Sequence, residues 1–268
     1  MMVISIANQK GGVGKTTTAL CLADGLTRRG RRVLVVDLDQ QANASRVFGA
    51  ATEGAATAYD VLTGHVRDAA RAVQRTDKGD ILSGDGFLSQ AEGELAQATM
   101  REKVLKKALR GLIKADVYDY VLIDCPPSLG LVTINALVAS DGVVVPMKMD
   151  GYSVDGLDGL MSLVSLIKGD EGDDPDDCLN PRLSVLGLVV CQVDRRRKTL
   201  LREFGRHLPI LAESYGTRVF QTWVAESSKV PAAQLERDEM LHAYAPLSSA
   251  AIGYECVVDE LLGLTEGV

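Results

Sequence analysis

Gln9-Lys10-Gly11-Gly12-Val13-Gly14-Lys15-Thr16-Thr17 follows a short apolar run, Val3 to Ala7, and opens a stretch of helical character, Lys15 to Arg29. Glycines at this spacing let the backbone fold around an anion so that consecutive N–H groups face phosphate oxygens. The helix that follows points its positive N-terminal end at the same charge. In the phosphate-loop spacing G-x-x-x-x-G-K-[ST], the lysine reaches the β- and γ-phosphates and the hydroxyl meets Mg²⁺. Lys15 and Thr16 occupy those positions. The same spacing calls for glycine at position 9, where Gln9 stands, and Lys10 puts a second cation at the start of the loop.

A strand, a glycine loop and a helix form the first βα unit, and the rest of the chain continues the alternation. Arg32 to Leu38 is a β-branched run ending in acids, and further strands are predicted at Asp80 to Ser83, Tyr120 to Ile123, Val143 to Met147, Leu183 to Cys191 and Arg218 to Gln221. Runs such as Val143-Val144-Val145 are apolar throughout rather than alternating, as expected of parallel strands covered on both faces. The expected fold is therefore α/β: a doubly wound, mostly parallel sheet with helices on both faces, in one domain over residues 1–268. A ligand is expected beyond the carboxyl ends of the strands, where the loops after Ala7, Asp37 and Asp124 converge. Residues 50–58, almost all Ala, Gly and Thr, are expected to form a flexible connection.

With 268 residues, 46% hydrophobic and 24% charged, the chain has enough apolar material to bury a core, which excludes wholesale disorder. No apolar run reaches the roughly 18 to 20 residues of a membrane span, and no cleavable leader is recognisable, so a cytoplasmic protein is expected. Five cysteines are scattered singly, without the paired spacing of a structural zinc site. The net charge of −7 is uneven. Asp170, Glu171, Asp173, Asp174, Asp176 and Asp177 fall within 169–181, which holds no Lys or Arg and is expected to be a solvated acidic loop, so the remaining body is nearly neutral.

Two acidic strand ends complete the candidate site. Asp124 closes Tyr120-Val121-Leu122-Ile123, where a carboxylate can hold Mg²⁺. Asp37 and Asp39 end the second strand, and either one is placed to orient an attacking water or to complete the Mg²⁺ shell. The densest basic stretch is Arg195-Arg196-Arg197-Lys198, followed by Arg202 and Arg206 near helical spacing, so several cations can share one face and follow a phosphate backbone. Few aromatics interleave with it, so readout of bases is not expected. Arg28, Arg29, Arg31 and Arg32 form a second cluster, for which a basic helix end stabilised by its dipole is a sufficient account.

The segment Lys10-Gly11-Gly12-Val13-Gly14-Lys15-Thr16-Thr17 resembles that of the deviant Walker A ATPases. Ala7-Asn8-Gln9, Val36-Asp37-Leu38-Asp39-Gln40-Gln41-Ala42-Asn43-Ala44-Ser45, Tyr118 to Ser128 and Thr133 to Leu137 narrow the resemblance to the ParA/Soj partition proteins, strongly over residues 1–165 and more weakly over 183–262. The resemblance implies ATP and Mg²⁺ as cofactors and slow hydrolysis stimulated by a ParB-like partner. It also implies a nucleotide-sandwich homodimer in which Lys10 reaches the phosphates of the other subunit. Asp39 matches the residue required for hydrolysis and Asp124 the Walker B acid. Residues 195–206 match the part of the chain that carries non-specific double-stranded DNA, which implies nucleoid association.

Where the family has Pro and Gly in the second-strand block, this chain has Gln40 and Ala42, and the late Pro-Arg pair beside the base is Ala225-Glu226. Base contacts are accordingly expected near Cys191 to Asp194 and Trp223 to Glu226. One strand precedes the loop, so the helix-turn-helix extension of larger members, and operator reading with it, is not expected. Relatives that position other cargo, such as carboxysomes or chemoreceptor clusters, share these motifs. The membrane-associated MinD class ends in a basic amphipathic helix, whereas here no Lys or Arg follows Arg237, and Asp259, Glu260 and Glu266 would repel anionic lipid. Iron–sulfur relatives need paired cysteines, and Cys125 beside Asp124 has no second at suitable spacing.

Overall fold

The computed structural model describes residues 1–149, 151–169, 174 and 177–266, with the backbone alone at 151–155. Residues 170–173, 175 and 176 of the acidic stretch 169–181, four of its six acids among them, lie outside the described residues. Seven strands, β1 (Met2–Ile6), β2 (Val33–Asp37), β3 (Val73–Thr76), β4 (Gly79–Leu82), β5 (Tyr120–Asp124), β6 (Gly142–Lys148) and β7 (Ser184–Cys191), form one sheet in the order β3-β4-β2-β5-β1-β6-β7. Every pairing is parallel except β3 with β4, so the doubly wound, mostly parallel sheet expected from the sequence is the one observed.

Alternate residues of each strand enter opposite cores. Val3, Leu34, Val36, Val121, Ile123, Val143 and Val145 face one, while Ile4, Ile6, Val35, Leu122, Val144 and Val189 face the other. Both faces of the sheet are buried, which explains why these strands read as continuous apolar runs. The first core is roofed by helices Leu131–Ala139, Gly151–Lys168 and Lys198–Ser214. The second is roofed by Lys15–Arg28 and Ser249–Thr265, packed so closely that a Cβ on Gly25 would come within 2.6 Å of Val258.

Two strand assignments change. β3 was not expected: Val73-Gln74-Arg75-Thr76 is polar at three of four positions and forms the sheet's edge, where it folds back on β4 through a turn closed by Gly79 at φ +123°. Arg218 to Gln221, expected as a strand, makes only one bridge, Val219 to Leu188. Its next two backbone N–H groups, Gln221 and Thr222, donate instead to the Glu260 carboxylate at 2.6 and 2.9 Å, which interrupts the pairing until the Val224 N–H bonds the Val190 carbonyl. In the connection at 50–58, Ala58 already belongs to a short helix, Ala58–Leu62, opened by a Thr57–Asp60 capping box.

Candidate active site

The loop after β1 is fixed at both ends. Asn8 is buried, donates Nδ2–H to the Pro146 carbonyl of β6 at 2.8 Å and accepts the Lys10 N–H at 2.9 Å, so the chain leaves the sheet between β1 and β6. Gly12 and Gly14 hold φ of +70° and +100°, a region that costs an L-residue strain. Between them Val13 is buried as the loop's anchor. The helix begins at Lys15 with no side-chain cap, which leaves its first-turn N–H groups for an anion. Lys15 is itself buried and donates Nζ–H to the Lys10 carbonyl at 3.0 Å. Burial lowers its pKa, and Asp124, Cys125 and Asp39 oppose that shift.

The expected convergence of strand ends is present. Ile6 and Asp37 both lie in register with Asp124, and the Cys125 N–H bonds the Ile6 carbonyl while the Leu38 N–H bonds that of Asp124. The two acids after β2 separate into different roles. Asp37 is fully buried and accepts from the Ser45 N–H (2.9 Å), the Ser45 hydroxyl (2.7 Å) and the Asp39 N–H (3.1 Å). Burial still raises its pKa to about 6, against the pull of those donors. Its work is to hold the loop, whereas Asp39 is half-buried, lines the cleft and accepts from the Gln41 N–H at 3.0 Å.

Asp124 is wholly buried and neither of its oxygens makes a hydrogen bond. Burial pushes its pKa well up and Asp37 adds to the rise. The Thr16 hydroxyl lies close enough to offset part of this without forming a bond of normal geometry. A buried, unbonded carboxylate is costly in a free protein and is relieved by a cation. Beside it, burial and Asp124 push the Cys125 thiol up to about 12, which makes it no nucleophile.

These groups open into a cleft of about 920 Å³. Gly11, Gly12, Gly14, Lys15, Thr16, Thr17 and Asp39 form one wall; Gln192, Arg196 and Val224 to Ser228 form part of the other. Of the residues expected near the base, Gln192, Val224, Ala225 and Glu226 line the cleft. Cys191 instead lies under Gly14, and Val193, Asp194 and Trp223 stay outside the lining. Gln192 donates Nε2–H to the Gly12 carbonyl at 2.9 Å and so ties the far wall to the loop. Sequence reasoning missed Asn43, Val47, Val230 and Gln234 in the lining, and Lys148, whose Nζ is 3.9 Å from where a Gly12 Cβ would stand. Lys148 ends β6 beside the loop and Asn43 falls in the second-strand block, which are the signals available; Val47, Val230 and Gln234 carry no motif.

The basic stretch meets this cleft only at Arg196. Arg195, Arg196 and Arg197 precede the helix, and Lys198, Arg202 and Arg206 fall on it at intervals of four, one exposed stripe. Arg196 bonds Asp194 through two nitrogens at 2.8 and 3.0 Å and lines the cleft. Among the described residues the other five cations form no ion pair.

The AAA domain family profile matches residues 1–175. The chromosome partitioning protein ParA of Caulobacter vibrioides is 42% identical over 198 residues, 73% of this chain and 71% of that one. The chromosome-partitioning ATPase Soj of Thermus thermophilus is 36% identical over 265 residues, 97% and 94% of the two chains. The chain belongs to the ParA/Soj family of P-loop ATPases.

Solved folds agree with that membership. Cobyrinic acid a,c-diamide synthase of Mycobacterium smegmatis, crystallised with ADP and magnesium, superposes with a TM-score of 0.79 at 30% identity, covering 100% of this chain and 97% of that one. Apo McdA of Cyanothece gives 0.78 at 25% identity, over 97% and 99%. Against the family pattern, this ParA/Soj chain keeps the backbone shape its glycine would favour: Ala42 sits at φ +49°.

Proposed function

We propose that this ParA/Soj protein is an ATP-dependent partition ATPase working as one domain over residues 1–268. In this reading it closes into a homodimer on ATP, coats non-specific double-stranded DNA and lets go when a ParB-like partner stimulates hydrolysis. The observation that carries the reading is the buried, unbonded Asp124 carboxylate set between Lys15 and Thr16 beneath an uncapped helix N-terminus. That is a place for Mg²⁺ and a triphosphate together. Thr16 and Asp124 would hold the metal ion, with Asp39 at the edge of its shell, and the ion would supply neutralisation of phosphate charge.

The chain's own groups account for the rest. N–H groups of Gly11, Gly12, Val13 and Gly14 and of Thr16 and Thr17 bind phosphate oxygens, and Lys15 stabilises charge developing on the transferred phosphoryl group. Lys10 is assigned the same task across the dimer. Asp39, turned to the cleft while Asp37 is engaged by Ser45, orients the attacking water. Lys198, Arg202 and Arg206, with Arg195 and Arg197, meet backbone phosphates.

The deciding experiment is fluorescence anisotropy of a random-sequence duplex against the protein with ATP or ADP at low and high salt. Tight, salt-sensitive binding with ATP alone is expected, and Asp39→Ala should hold the bound state while Lys10→Gln should bind ATP without dimerising. Absence of DNA binding in every nucleotide state would move the protein to cargo positioning without DNA. Normal turnover by Asp39→Ala would remove that residue from the mechanism.

A further inference from the structure

Gln234 lines the cleft beside Thr17, on a single π-helical turn, Ala232–Glu236, a geometry that gathers at functional sites. The turn is tied down from outside, since Arg46 donates to the Gln234 carbonyl at 3.0 Å and to Asp238 at 2.6 Å. Gln234 is only 8% exposed. Its Oε1 accepts the Thr17 hydroxyl at 2.9 Å, but its Nε2 is buried and bonded to nothing. Neighbouring donors are occupied, Gln192 on the Gly12 carbonyl and Arg196 on Asp194. A buried donor without a protein acceptor is satisfied when a ligand brings one.

The position of Thr17 defines which part of a nucleotide that ligand edge belongs to. Phosphates follow the loop from Lys10 to Thr17, so a side chain on the far flank of Thr17 faces the nucleoside. In an anti nucleotide the N7 edge of a purine lies on the side of the 5′-phosphate. A carboxamide matches that edge of adenine, giving N–H to N7 and accepting the 6-amino group on the second lone pair of Oε1, whereas guanine sets its O6 against the same oxygen.

We propose that Gln234 selects adenine over guanine by reading the N7 and 6-amino edge of the base. The proposal rests on the reading of this cleft as an ATP site. The test measures displacement of a fluorescent ATP analogue by ATP, 7-deaza-ATP and GTP, on the unaltered protein and on Gln234→Leu and Gln234→Glu. In the unaltered protein 7-deaza-ATP and GTP should each bind about tenfold or more weakly than ATP. In Gln234→Leu the three should converge to within about twofold, and Gln234→Glu, which loses the N–H, should lose the preference for N7 as well.

Equal binding of ATP and 7-deaza-ATP by the unaltered protein, or a wild-type preference kept by the leucine variant, overturns the proposal and leaves the ATP site standing. An unaltered protein that binds no nucleotide overturns the ATP reading and this proposal together. The 7-deaza comparison needs no substitution, so it decides even where a variant fails to fold.

Discussion

Arg28, Arg29, Arg31 and Arg32 crowd the end of one helix, and Arg195, Arg196, Arg197, Lys198, Arg202 and Arg206 crowd the start of another, yet the two clusters live in different surroundings. In the first, Arg28 pairs with Asp24 and Glu255, Arg29 with Glu255 and Asp259, Arg31 with Glu266, and Arg32 with Asp119. The helix dipole is thus a minor part of that cluster's account. In the second, Arg196 alone is paired among the described residues. Two of the C-terminal acids that read as repelling lipid, Asp259 and Glu266, turn out to hold the first cluster, and the third, Glu260, interrupts the pairing beside β7. Density of charge along a sequence therefore says little about readiness to bind a polyanion; the distant acids that the fold brings alongside decide it.

The largest expected effect breaks the comparison directly. Replacing Lys198, Arg202 and Arg206 together by Ala should lower affinity for a random duplex about 100-fold at low salt and flatten the salt dependence by about three units of slope. Thermal stability should not change, because the three side chains are exposed and unpaired. Replacing Arg28 and Arg31 should leave DNA binding alone. Anisotropy across a salt series checks both, and the reverse pattern would assign DNA to the first cluster.

A second test carries the contrast between satisfied and unsatisfied charge into the interior. An unpaired arginine in water costs nothing, but the unbonded Asp124 carboxylate is buried. Asp124→Asn should stabilise the nucleotide-free protein by about 1–3 kcal/mol while abolishing hydrolysis, the trade expected of a site built for a cation. The pH dependence has a definite sign. Burial raises both Asp37, to about 6, and Asp124, so each favours folding while protonated and loses that contribution as pH rises. Urea unfolding of the unaltered protein should show stability falling from pH 4 to above pH 6, and the gain from Asp124→Asn should be larger at pH 8 than at pH 5.

What could be read in the sequence follows the same division between local and distant causes. Parallel strands buried on both faces announce themselves as apolar runs, and their carboxyl ends bring Asp37, Asp124 and the glycine loop together without further information. β3 was invisible because an edge strand needs no apolar pattern, and Arg218 to Gln221 was misread because Glu260, 39 residues away, takes the N–H of Gln221. The separation of Asp37 from Asp39 depended on Ser45, eight positions on, and Gln234 reaches Thr17 across 217 residues. Spacing motifs report short-range chemistry; the partners that leave a group bonded or unbonded lie elsewhere in the chain.

Two smaller effects sharpen the contrast. Arg29→Ala removes bonds to Glu255, Asp259 and the Gly25 carbonyl, and should cost about 1 kcal/mol in urea denaturation while sparing DNA affinity. The smallest effect expected involves no charge. Ala42 holds φ +49° at the entry to the short helix Asn43–Phe48, and its N–H closes a turn onto the Asp39 carbonyl at 2.9 Å. Left-handed backbone strains an L-residue by about 1 kcal/mol, while glycine adopts it freely but carries more unfolded-state entropy, so Ala42→Gly should stabilise by roughly 0.5 kcal/mol or less. The strain is confined to the loop that presents Asp39, so relieving it should move the hydrolysis rate more than the melting temperature. A variant whose rate is unchanged would show that Asp37, through Ser45 and the Asp39 N–H, holds that loop whatever stands at position 42.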